Sequence, residues 1–223
     1  MSSRADLQQH QALVRVMDLA RLTADDDSLA LASILVHRCN CPTAPRRLAL
    51  GLGEAELRAL VGRFFPALLD HWQHGPCLRP HLGLTCTHVN LPVDHDHFAD
   101  RLLEQEEHQL RRLLLRHGAG RGPGPVAFAR LVARACMEPD HLWTSLGFAH
   151  RDLLSGLMQR HFPGLVALNQ RDMRWKKFFY KLLCEEEAVR TCKASSCEIC
   201  PHHHECYVMP SPGSGPAAVP PPH

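Results

Sequence analysis

At 223 residues, with 25 basic and 23 acidic side chains interspersed and a net charge of +2, the chain is long enough for one domain with a sizeable core or for two small ones. No long basic face interleaved with aromatics appears, which argues against a nucleic-acid partner, and no apolar stretch approaches the length of a membrane span. The amino terminus lacks the basic cluster and apolar run of an export signal, so the chain reads as cytoplasmic. In that compartment its ten Cys are metal ligands or buried thiols and not a disulfide framework.

Residues 5–22 place Leu7, His10, Leu13, Val14, Val16, Met17 and Ala20 close to a helical stripe. Asp25 to Ser28 read as a capping run before a nearly all-apolar second helix at 29–37. A loop marked by Cys39, Cys41, Pro42 and Pro45 follows. A third helix runs from Glu54 to Phe64, and a fourth passes through Leu68, Leu69 and Trp72 before Gly75-Pro76. Residues 75–94 have no clear period and read as an irregular connection.

The longest helix spans 95–117, with Phe98, Leu102, Leu103, Leu110, Leu113 and Leu114 inward and Glu104, Glu106, Glu107, Arg111 and Arg112 on the wet side. The stretch GAGRGPGP is a loop, and helices at 125–137 and 148–161 complete the body. Aligning Phe65-Pro66 with Phe162-Pro163 also pairs Leu57 with Leu154, Leu60 with Leu157, Val61 with Met158, Arg63 with Arg160 and Leu68 with Leu165. Segments 52–68 and 146–165 therefore read as two copies of one helical unit. No alternating β-branched run is long enough for a sheet. The expected fold is all-α: a single helical domain over 1–191, a Cys-rich loop at 192–206 and a disordered Pro-rich tail at 207–223.

The last helix, at 173–190, carries Trp175, Phe178, Phe179, Leu182 and Leu183 on one stripe that must be buried. At about 100° per residue, Lys177, Lys181 and Cys184 fall on the opposite side, so Cys184 is expected to look outward among cations. All the lysines, Lys176, Lys177, Lys181 and Lys193, lie beside the Cys-rich loop, where ammonium groups can offset the charge of an anionic cluster or guide an oxyanion.

In that loop Cys192, Cys197, Cys200 and Cys206 are separated by four, two and five residues. Thiolates this close together can converge on one iron–sulfur cluster or one zinc ion. The opening C-x4-C-x2-C spacing is that of plant-type ferredoxins, which favours iron, whereas structural zinc more often uses two tight Cys pairs held apart by a long loop.

The stretch Arg174-Trp-Lys-Lys-Phe-Phe-Tyr-Lys-Leu-Leu-Cys184-Glu-Glu-Glu, followed by C-x4-C-x2-C-x5-C, closely resembles the NifQ family of nitrogen-fixation proteins. The resemblance is specific over about residues 172–206, and the two Phe-Pro helical segments and the length are similar to that family. It implies a molybdenum carrier, not an enzyme, that holds a molybdenum-iron-sulfur cluster on Cys192, Cys197, Cys200 and Cys206. It further implies that molybdenum, arriving as molybdate, passes to the nitrogenase iron-molybdenum cofactor, with the nitrogenase iron protein and the NifEN scaffold as transfer partners. His202, His203 and His204 lie inside the final spacer, where imidazoles can occupy an open metal position or tune the cluster. Cys184 is an auxiliary candidate for metal delivery. The alternatives from the residues themselves are a zinc-stabilised interaction module and a small redox protein.

Elsewhere, His81, His88, His95 and His97 with Asp94 and Asp96 could form a second metal site, or Asp94 or Asp96 could simply cap a helix. Glu138-Pro-Asp-His141 is the only Glu-x-x-His spacing and carries Pro near its start, which excludes a di-iron bundle. Cys39, Cys41, Cys77, Cys86 and Cys136 read as core thiols. No nucleophilic triad, phosphate-cradling loop or dinucleotide fingerprint is present.

Overall fold

Helix-forming periodicity and turn chemistry dominate the computed structural model, which describes residues 4–18, 25–40, 50–70, 97–120 and 122–187. Among them lie ten helices: α1 (Arg4–Asp18), α2 (Asp26–Asn40), α3 (Glu54–Phe64), α4 (Pro66–Asp70), α5 (His97–Arg116), α6 (Pro123–Cys136), α7 (Leu142–Ser145), α8 (Arg151–His161), α9 (Pro163–Leu168) and α10 (Trp175–Glu187). No β-sheet occurs among the described residues, and the class is all-α. No described helix is long and apolar enough to cross a membrane. The chain divides into two compact units, Met1–Leu168 and Asn169–His223. The expected boundaries at 191 and 206 lie outside the described residues.

The first unit is built around α6. Ala127, Phe128, Ala129, Leu131, Val132, Ala133, Ala135 and Cys136 are all buried, so this helix is enclosed on most of its circumference, as a central helix must be. It packs along α5 and also meets α3, α7 and α8, while α2 lies between α1 and α8. Arg130 and Arg134, four residues apart on one α6 face, reach Glu56 of α3 at 3.0 Å and Glu107 of α5 at 2.9 Å. Gly51 explains how the chain enters α3 beside these pairs. Its φ is +69, and a Cβ there would stand 3.0 Å from Glu107 Oε1 and 3.2 Å from Arg134 Cβ.

The two Phe-Pro segments share one geometry. Each is an eleven-residue helix ended by a phenylalanine at its C-cap, and a short helix then opens at the proline. Phe65 (φ −135, ψ 62) and Phe162 (φ −134, ψ 51) turn the chain identically and donate their N–H groups to Val61 and Met158. Proline disfavours the α-helical conformation in the residue before it, which ends the first helix, and its own fixed φ starts the next. Both phenylalanines are fully buried, as are Leu68 and Leu165 three residues on.

Several expectations are corrected. On α1 the buried face is Ala12 and Val16, whereas Leu7 (55% exposed) and Val14 (45%) point outward, because α2 covers one narrow side of the helix. On α5, Leu110, Leu113 and Leu114 are buried, but Leu103 is 39% exposed and Glu107 is half-buried against Arg134. Helix α2 runs past residue 37 to Asn40 and takes in Cys39, since Arg38 is buried and ion-paired with Glu138. The short helices α7 and α9 carry too few residues for a detectable period.

Asp25 caps α2 as expected: its Oδ1 accepts the Ser28 N–H at 2.7 Å. Beyond the cap, Asp27 Oδ1 accepts from Arg160 Nε at 2.8 Å, and its Oδ2 lies 2.9 Å from His161 Nε2. Asp26, 71% exposed, accepts from Nη1 of Arg160 at 3.0 Å. Burial pushes the Asp27 carboxyl upward, but hydrogen bonds from His161 and Arg160 outweigh it and hold the group below 3.8. An ionised carboxylate only accepts, so His161 Nε2 carries the hydrogen. The imidazole is fixed from its other side by the Phe128 ring, 4.5 Å between centroids.

Candidate functional site

The second unit opens with a self-contained turn. Asn169, buried, donates from Nδ2 to the Met173 carbonyl and accepts the Met173 N–H on Oδ1, both at 2.9 Å. One amide side chain thereby pairs with both backbone groups of a single residue, as a neighbouring strand would. Asp172 closes the bend with φ 47, a left-handed conformation that Asp tolerates through local hydrogen bonding. Helix α10 starts two residues after the clasp, so the clasp fixes where its first turn begins.

On α10 the period of 3.6 sorts the side chains cleanly. Trp175, Phe178, Phe179 and Leu183 are buried, and Leu182 at the edge of the stripe is half-buried. The aromatic rings interlock: Trp175 meets Phe178 edge-on at 6.0 Å and Phe179 at 5.9 Å. Such contacts add about 0.5–1.5 kcal/mol per pair beyond area burial. The far face carries Lys177, Tyr180, Lys181 and Cys184. Lys181 is 48% exposed and lies 3.5 Å from Glu185 one turn on, while Lys177, Tyr180 and Cys184 are half-buried. Cys184 is thus on the expected face, though less open than an outward residue would be.

Cys192, Cys197, Cys200 and Cys206, with His202, His203 and His204, lie outside the described residues, as do His81, His88 and His95. His97 is the first residue of α5. Among the described residues no group of three or more His, Cys, Asp or Glu is gathered closely enough to hold a metal ion. Cys136 is a buried thiol of the α6 core. Glu138 is committed to Arg38, and His141 stands at the N-cap of α7, which disposes of that Glu-x-x-His spacing as a metal motif.

A NifQ family profile matches residues 30–208, a span that takes in α10 and all four closely spaced Cys. The chain belongs to the NifQ family. It is 39% identical over 158 residues to the protein NifQ of Azotobacter vinelandii, covering 71% of this chain and 76% of that relative. The NifQ homolog of Sinorhizobium fredii is 34% identical over 202 residues, 89% of this chain and 78% of the relative. NifQ of Rhodobacter capsulatus is 31% identical over 172 residues, 77% and 83% of the two chains. No solved structure matches the chain. Membership of the NifQ family places the chain in nitrogen fixation. Helix α1 precedes the matched span, whereas the Asp27 partners Arg160 and His161 fall inside it.

Sequence reasoning missed the Asp27, Arg160 and His161 assembly and the Asn169 clasp. The first joins residues 133 and 134 positions apart, and neither Asp25-Asp26-Asp27 nor Arg160-His161 carries a local signal of the other. The clasp was in principle legible, since Asn169, six residues before the start of α10, is a turn-forming residue type.

Proposed function

We propose that this NifQ-family chain carries molybdenum within a molybdenum-iron-sulfur cluster held by Cys192, Cys197, Cys200 and Cys206. It donates that molybdenum to assembly of the nitrogenase iron-molybdenum cofactor. The observation that supports this most directly is the C-x4-C-x2-C-x5-C spacing lying wholly within the span the family profile matches. Molybdenum enters as a hard oxyanion and ends in a sulfur-rich cofactor, so a carrier needs thiolate and sulfide donors. The chain acts as a carrier and not as an enzyme, in the cytoplasm, and hands its cargo to the NifEN scaffold with the nitrogenase iron protein. His202, His203 and His204 are positioned in sequence to complete or tune the ligand set.

The test is metal and sulfide analysis with visible and electron-paramagnetic-resonance spectra, on protein purified without oxygen from molybdate-supplied cells, beside a Cys197→Ser, Cys200→Ser variant. Iron, sulfide and molybdenum together in the wild type, and lost in the variant, are expected. Zinc alone, whatever the growth medium, would refute the carrier reading and make the loop a structural staple.

A further inference from the structure

We draw no further inference here: the strongest candidate, the apolar patch formed by Leu7 (55% exposed) and Val14 (45%) on the outer face of α1, carries none because nothing among the described residues shows what covers it.

Discussion

Replacing Asp27 by alanine removes the acceptor for two buried or half-buried donors. The Asp27 side chain is 22% exposed, His161 8% and Arg160 32%. Arg160 keeps Asp26 at 3.0 Å and can reach water, so most of its loss is recovered. His161 recovers nothing, because its Nε2 is left facing an apolar gap beside Phe128. A buried donor stripped of its partner costs about 1–3 kcal/mol, and a hydrogen bond to a charged group about 1.5–3, which overlap here to roughly 2–4 kcal/mol. With a urea slope of about 1–3 kcal/mol per molar, the unfolding midpoint by circular dichroism should fall by about 1–2 M at unchanged slope. Asp26→Ala, at an exposed pair, should cost at most about 0.5 kcal/mol.

The same carboxylate sets a pH dependence. Its folded pKa lies below the ordinary 3.8, so its contribution is complete above that value and is lost as pH falls through the depressed folded pKa. Asp27→Ala should flatten that acid limb. Equal losses from Asp26→Ala and Asp27→Ala, or an Asp27→Ala midpoint indistinguishable from wild type, would refute the assignment of stability to the buried imidazole.

Gly147 has φ +72, and a Cβ there would stand 2.2 Å from His37 Cβ. Gly147→Ala should therefore destabilise by about 3 kcal/mol or more through strain and overpacking, whereas Gly120→Ala, where nothing lies within 4 Å, should show the backbone strain alone, both read from thermal midpoints. Phe162→Ala, opening a cavity at a fully buried C-cap, should cost about 3–5 kcal/mol in chemical denaturation without altering helix content below the transition. His37 is held below its ordinary 6.5 by burial and then by Arg38, against the opposing pull of Asp140. The unfolded chain therefore takes up the proton first, stability declines as pH drops below about 6.5, and His37→Gln should remove that part of the decline in a pH series of melts.

The helices were legible wherever burial is one-sided and local grammar marks the ends: the Phe-Pro junctions, the Asp25 cap and the aromatic stripe of α10 all follow from residues within one or two turns. What a residue packs against was not. Leu7 and Val14 satisfy a helical stripe as well as Ala12 and Val16 do, and only the placement of α2 chooses between them. Glu107 looks like a solvated acid until Arg134, 27 positions away, arrives beside it. The four clustered Cys advertise metal chemistry through spacing alone, because thiolates that must meet on one centre are held close in sequence. The Asp27 assembly is invisible by the same logic, since its members are brought together only by the finished fold.

Arg63 and Arg160 sit at equivalent places in the two Phe-Pro segments, three residues before the respective prolines. Arg160 is tied to two aspartates, while Arg63 lies 5.6 Å above the ring of the adjacent Phe64. One molecule therefore contains the same local sentence spoken in two settings. Guanidinium proton exchange, slow at Arg160 and fast at Arg63, would weigh the influence of α2 with neighbouring backbone, helix length and cap all held constant.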